Sequence, residues 1–115
     1  MYENNQIVNK SKLLALNVIK IYKNLKEQNE YILSKQIVRS GTSVGANVRE
    51  AQQGFTNNEF IYKMSIALKE ACETQYWLEL LHESEFINNS DFYNSYSVCK
   101  ECIAILTSIV KSKHK

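Results

Sequence analysis

The sequence contains no proline and only three glycines in 115 residues. Folds that are rich in turns, such as sandwiches, barrels and doubly wound sheets, use both residues at those turns, whereas long helices exclude them. The absence of proline therefore predicts an all-α fold whose helices are joined by short connections. With 44% hydrophobic and 23% charged residues, the chain fits one small domain over residues 1–115.

Long apolar runs are also absent. The N-terminal stretch lacks the apolar run of a secretory signal, and no window approaches 18 consecutive apolar residues. We therefore expect a cytoplasmic protein. The three cysteines, Cys72, Cys99 and Cys102, are an odd number without a disulfide spacing. Because all three fall among apolar residues, the sequence predicts free, buried thiols.

Residue patterns that carry catalysis are missing from the sequence. Cys99 and Cys102 form a CxxC pair, but no second CxxC or paired histidine is spaced to complete a zinc site. A redox motif would place its first cysteine at a helix N-terminus, and Cys99 falls inside a predicted helix. The sequence also has no Ser/His/Asp set, Glu-x-x-His pair or glycine-rich phosphate loop. We therefore expect no enzymatic activity, no metal and no cofactor.

Heptad patterns of apolar residues predict four helices, at about residues 6–27, 31–54, 58–84 and 90–113. Thr56 and Glu59 have the spacing of a capping box before the third helix, and Asn89 or Ser90 is placed to cap the fourth. Because short connections force consecutive helices to run antiparallel, the pattern predicts an up-down-up-down four-helix bundle. The apolar stripe of the first helix comprises Ile7, Ser11, Leu14, Val18, Ile21 and Leu25.

The second segment has two interpretations, because Gly41 and Gly45 lie in a stretch rich in serine and threonine. A loop there would leave two short helices, at 31–40 and 46–54. A continuous helix keeps one apolar stripe, made of Ile37, Gly41, Val44, Val48, Ala51 and Phe55. Each mid-helix glycine costs about 1 kcal/mol relative to alanine, which close packing would have to offset. We favour the continuous helix because the heptad phase holds across both glycines.

The formal net charge of +2 conceals an uneven distribution of charge. Residues 1–29 carry +3, residues 30–56 carry +1, residues 57–88 carry −4 and residues 89–115 carry +2. At about 100° per residue, Lys12, Lys20, Lys23 and Lys26 fall within an arc of about 120° opposite the apolar stripe of the first helix. The candidate nucleic-acid-binding residues are Lys12, Lys20, Lys23, Lys35, Arg39 and Arg49.

Three interpretations of this basic surface remain open: an ordinary solvated helix face, a phosphate-backbone site, and a head-to-tail contact with the acidic third helix of a second copy. Arg39 and Arg49 are about 15 Å apart along a helix axis, so they would contact separate phosphates. For either arginine, an ion pair with Glu50 or with a glutamate of the third helix is an equal alternative.

The stretch from Leu33 to Ala51 resembles the signature of the "four helix bundle protein" family. That family includes proteins encoded in intervening sequences of bacterial 23S rRNA genes and the accessory variability determinant of diversity-generating retroelements. The residues that match the family pattern are Leu33, Gln36, Arg39, Ser43, Asn47 and Glu50. Of these, Gln36, Ser43, Asn47 and Glu50 are expected to be structural. Many members carry proline where Gly45 stands.

The resemblance implies a four-helix bundle, which assembles as a homopentamer in the retroelement protein. It also implies a basic surface that binds RNA or DNA and, in the retroelement branch, a reverse transcriptase as a protein partner. Most stand-alone members have no established activity. A scaffold for protein–protein contacts without nucleic-acid binding is the alternative function.

Overall fold

The computed structural model describes residues 5–113, which form four helices and no β-strand. The helices are α1 (Gln6–Glu27), α2 (Leu33–Ala51), α3 (Asn57–Glu83) and α4 (Asn89–Lys113). The predicted all-α fold is therefore confirmed, and the predicted bounds of α1, α3 and α4 lie within a residue of those observed. No helix in the described part of the chain is long and apolar enough to cross a membrane.

The helices are arranged as a square in cross-section. Contacts join α1 to α2, α2 to α3, α3 to α4 and α4 to α1, and neither diagonal pair is in contact within residues 5–113. The connections between consecutive helices are short, so consecutive helices are antiparallel neighbours. As a result, α1 and α3 occupy opposite corners of the bundle, as expected for an up-down-up-down bundle.

The core comes from the predicted apolar stripes. Every residue of the α1 stripe is buried, and α2 contributes Ile37, Gly41, Val44, Val48 and Ala51. Leu14, Leu78 and Leu106 are fully buried. Replacing a leucine of this kind with alanine typically costs about 2–5 kcal/mol, because a cavity remains.

Both glycines of α2 lie within one uninterrupted helix, so the continuous interpretation is confirmed. A Cβ atom built on Gly41 would stand 2.5 Å from Cγ2 of Val18 and 2.9 Å from its Cγ1. Carbon atoms in contact normally stand about 3.5–4.0 Å apart. At Gly45 the nearest atom to such a Cβ is the carbonyl oxygen of Ser11, at 3.4 Å. The absence of a side chain at Gly41 therefore allows α1 and α2 to approach closely.

Both predicted bounds of α2 are wrong, because the helix begins at Leu33 rather than at residue 31 and also ends early. The helix ends at Ala51 rather than at residue 54, because the N–H of Gly54 donates to the carbonyl of Ala51 and turns the chain. Phe55, which the heptad pattern placed on the buried stripe, is 97% exposed. The predicted capping box of α3 is confirmed, with the hydroxyl of Thr56 accepting from the N–H of Glu59 at 3.1 Å.

The cap of α4 also differs from the prediction. Asn88, rather than Asn89 or Ser90, accepts the N–H of Asp91 through its side-chain oxygen at 2.8 Å. The reason is that α4 begins at Asn89, one residue earlier than predicted. The preceding residue is therefore the one placed to cap the first turn.

The cysteines divide into two environments. Cys99 and Cys102 are buried, and burial raises the pKa of both thiols to about 12. Cys72 is exposed, so the prediction of three buried thiols is wrong for this residue, which lies on the outer side of α3. Within residues 5–113, no group of three or more histidine, cysteine, aspartate and glutamate side chains is arranged to hold a metal ion.

Candidate nucleic-acid interface

The outward side of α1 carries three of the lysines predicted to bind nucleic acid. We call this surface the α1 outer face: Lys12, Leu13, Leu16, Lys20 and Lys23, all of them exposed. None of these three lysines forms an ion pair with a described residue. The two leucines between them are 45% and 55% exposed. The α1 outer face is therefore both cationic and partly apolar.

Two of the candidate cations lie together in a groove between α1 and α2. Lys12 and Arg49 line this groove, which has a volume of about 150 Å³. Its floor consists of small residues, among them Ala15 and Gly45. Lys35 is exposed near the start of α2. Exposed or groove-lining cations are therefore present on α2 as well as on α1, and their role in binding stays a prediction.

Arg39 has a different environment from the other candidates. Its guanidinium forms ion pairs with Glu70, at 3.0 Å, and with Glu73, both of α3. Glu73 also accepts a hydrogen bond from the indole N–H of Trp77 at 2.9 Å. This bond and the Arg39 contact lower the pKa of Glu73, and the hydrogen bond to Glu73 raises the pKa of Arg39. The structure therefore shows the ion-pairing alternative at Arg39.

Replacing Arg39 with glutamine is expected to destabilise the protein by about 0.5–1 kcal/mol near neutral pH and by less at an acidic pH at which Glu73 is protonated in the folded protein. Because the folded-state pKa of Glu73 lies below the ordinary value of 4.5, its contribution is present above 4.5 and is lost as the pH falls through the folded-state value. Thermal unfolding of both proteins at the two pH values measures the difference.

The matched control for this experiment is Lys35→Gln, which removes an exposed α2 cation that has no ion pair with a described residue. It should leave the free energy of unfolding nearly unchanged at both pH values. An effect of Arg39→Gln that is equal at both pH values would contradict a role for the carboxylates.

The surface diagonal to the α1 outer face belongs to α3. Its exposed residues repeat every seven positions, and we call the set the α3 outer face: Tyr62, Lys69, Tyr76 and Glu83. Tyr76 packs against Trp77, with ring centroids 5.2 Å apart. This face combines exposed aromatic rings with few cations, and the neighbouring Glu70 and Glu73 are already paired with Arg39.

A family model described as "23S rRNA-intervening sequence protein" matches residues 3–108. The chain belongs to this family. Among solved structures, the chain is similar to a protein of unknown function from the S23 ribosomal protein family of Bacteroides thetaiotaomicron, with 46% sequence identity and a TM-score of 0.88. The match covers 91% of this chain and 98% of that chain. No curated protein matches significantly.

In this member of the 23S rRNA-intervening sequence protein family, Ser43, Asn47 and Glu50 of the α2 motif contact other residues of the protein. The side-chain N–H of Asn47 donates to the carbonyl of Ser43 at 2.9 Å and to its hydroxyl at 3.0 Å. Glu50 forms an ion pair with Lys63 of α3 at 3.0 Å. Gln36 is exposed. Ser43, Asn47 and Glu50 therefore have partners within the bundle, and the structural role expected of the four motif residues stays a prediction.

Sequence reasoning missed a polar cleft at the end of the bundle where α1 and α3 finish. The cleft has a volume of about 610 Å³, and its lining includes Asn24, Gln28, His82 and Asn89. The ring of His82 stacks on Phe92, with centroids 3.9 Å apart. The sequence feature that could have indicated this cleft is the frequency of asparagine in α1 and at the start of α4. Only the antiparallel packing of these helices brings their amides together.

Proposed function

We propose that the protein is a non-enzymatic, cytoplasmic, homo-oligomeric accessory protein that binds RNA or DNA through its basic surface. The observation that carries the proposal is the α1 outer face, whose three lysines have no acidic partner among the described residues. Lys35 and Arg49 extend this surface onto α2. The family description names ribosomal RNA and no enzymatic reaction.

The physical basis of binding is the neutralisation of phosphates. Each lysine or arginine that contacts a phosphate releases condensed counterions, so binding weakens as salt rises and depends little on sequence. Arg39 contributes least to this surface, because a phosphate would have to displace Glu70 and Glu73 from its guanidinium. We assign the phosphate contacts to the other five candidate cations, Lys12, Lys20, Lys23, Lys35 and Arg49.

Filter-binding titrations of a duplex oligonucleotide against salt test the proposal. We expect the logarithm of the association constant to fall linearly with the logarithm of salt concentration, with a slope between roughly −3 and −4.5 for three to five phosphate contacts. Undetectable binding at low salt, or binding that does not change as salt rises, would rule out phosphate contacts.

Self-assembly is the second part of the proposal, with the pentamer as the expected state. The α1 and α3 outer faces lie on diagonal helices and point in opposite directions. A head-to-tail contact between them would repeat along a line, whereas a closed ring of five needs two contact surfaces inclined at roughly 108°. A pentamer would therefore use the outer surfaces of neighbouring helices. Light scattering should give five times the chain mass, and a monomer would exclude the ring.

A scaffold that binds another protein is the alternative function. The observation that favours it is the exposure of Leu13 and Leu16 between the lysines, because apolar side chains do not contribute to phosphate binding. The partner expected from the retroelement branch is a reverse transcriptase. Retention of a protein partner after reversal of the α1 lysines would favour the scaffold over the nucleic-acid interface.

A further inference from the structure

The polar cleft continues as a groove along the seam between α1 and α4. The cleft of about 610 Å³ and a smaller groove of about 130 Å³ share Asn24 and Asp91 in their linings, so they form one surface. Side-chain amides dominate this surface, which we call the amide groove. Its amide residues are Asn17, Asn24, Gln28, Asn88, Asn89 and Asn94.

Much of the hydrogen-bonding capacity of the amide groove is unused. The side chains of Asn17 and Asn94 make no hydrogen bond to a described residue, although both are polar groups lining the groove. The amide N–H groups of Gln28 are used within the protein, donating to Asn24 at 2.7 Å and to the carbonyl of Phe86 at 2.9 Å. The groove therefore combines a fixed part near the loops with free donors and acceptors along the seam.

Aromatic rings stand at one end of the amide groove. His82, which lines the cleft, is stacked on Phe92 with an interplanar angle of 8°. Tyr93 packs its ring edge-on against both, and the residue is 61% exposed. Phe92 is buried, so the exposed ring of Tyr93 is the surface on which an unpaired nucleobase could stack.

The charges around the amide groove differ between its rim, which is cationic, and its interior, which is anionic. Lys20 belongs both to the α1 outer face and to the lining of the groove. Inside the groove the ionisable groups include the carboxylates of Glu85 and Asp91, which repel phosphate. A nucleic-acid strand that lies with its phosphates along the lysines would therefore present its bases, and not its backbone, to the amides.

We propose that the amide groove binds the unpaired bases of a single strand whose phosphates lie along the α1 outer face. This inference rests on the proposed function and adds to it a site for bases. Amide side chains pair with any base edge that offers a donor beside an acceptor, including that of uracil, so the amides alone do not choose among these bases. The carboxylates of Glu85 and Asp91 accept only from donors, such as the exocyclic amino groups of adenine and cytosine. The groove therefore favours adenine and cytosine over uracil, which has no amino group. A base pair hides these edges, so a duplex contacts the lysines alone.

The test is the double variant Asn17→Ala/Asn94→Ala, measured by fluorescence anisotropy with oligo(A) RNA, oligo(U) RNA and a duplex of equal length. Both residues are inside helices and make no side-chain hydrogen bond to described residues, so alanine should preserve the fold. We expect the wild type to bind oligo(A) at least about fivefold more tightly than oligo(U). The double variant should lose about tenfold in affinity for oligo(A) and less than about twofold for the duplex.

The salt dependence of binding distinguishes the phosphate contacts of the α1 outer face from the base contacts of the amide groove. The double variant should keep the wild-type slope with oligo(A), because it removes no phosphate contact. Asn58→Ala is the matched control, because it removes an exposed amide near the start of α3 and should bind oligo(A) as the wild type does. Tyr93→Ala should weaken oligo(A) binding by about fivefold or more through loss of stacking.

Two results would overturn this inference and leave the proposed function intact: equal affinity of the wild type for oligo(A) and oligo(U), or unchanged oligo(A) binding by the double variant, in either case with a normal salt dependence. Failure of the wild type to bind any of the three probes at low salt would instead remove the proposed function, and the amide groove with it.

Discussion

Replacing Gly41 with alanine is expected to lower the free energy of unfolding by about 1–2 kcal/mol, although the same change in an exposed helix interior normally raises it by about 1 kcal/mol. The added Cβ would stand 2.5 Å from Cγ2 of Val18, so α1 and α2 must separate or Val18 must move. Chemical denaturation at a fixed temperature measures the effect, and thermal unfolding should shift downward by about 4–8 °C per kcal/mol.

Gly45→Ala is the matched control in the same helix. A Cβ at this position meets the carbonyl oxygen of Ser11 at 3.4 Å, which is an ordinary contact, so the gain in helix propensity should raise stability by up to about 1 kcal/mol. Combining Gly41→Ala with Val18→Ala should cost less than the two single changes added together, because the smaller residue makes room for the new methyl. Strict additivity would show that the close approach at Gly41 does not determine the outcome.

Reversing the charge of all three α1 lysines, in the variant Lys12→Glu/Lys20→Glu/Lys23→Glu, is expected to weaken duplex binding by at least about a hundredfold at low salt. The change removes three contacts and places three carboxylates against the phosphates. Filter binding measures the affinity, and thermal unfolding confirms that these exposed substitutions leave the bundle folded.

The control for this variant must change the net charge by the same amount elsewhere. Lys69→Glu/Lys100→Glu/Lys111→Glu meets this condition, because all three lysines are exposed and lie outside the α1 outer face. It should retain affinity to within about severalfold, the effect of overall charge alone. A loss as large as that of the α1 variant would show that binding responds to net charge and not to this surface.

Periodicity predicted the parts of the fold that depend on one helix at a time. All six residues of the α1 stripe are buried, and α2 is continuous through Gly41 and Gly45, as the heptad phase indicated. The heptad pattern wrongly placed Phe55 in the core, because the spacing of apolar residues can continue past the residue at which the helix ends. At that point Gly54 donates to Ala51, and a hydrogen bond of this kind leaves no sign in the apolar pattern.

Features that depend on how two helices are aligned could not be predicted. Arg39 pairs with Glu70 and Glu73 because of how α2 and α3 are aligned along the bundle axis. From the sequence alone, Glu50 was an equally good partner for Arg39. The exposure of Cys72 likewise depends on the width of the surface that α4 covers. The lysines of the α1 outer face were found because they share a single helix, whereas the amide groove is built from α1, α4 and two loops.

The diagonal placement of α1 and α3 affects the kinetics of binding as well as its strength. The α1 lysines have no acidic partner among the described residues, and residues 57–88, which include the diagonal helix α3, carry a net charge of −4. This separation of charge gives the molecule an electric dipole across its short axis. Such a dipole rotates the protein as it nears a polyanion, so most encounters begin in the productive orientation. Rising salt should therefore slow association, while short-range contacts made afterwards set the lifetime of the complex.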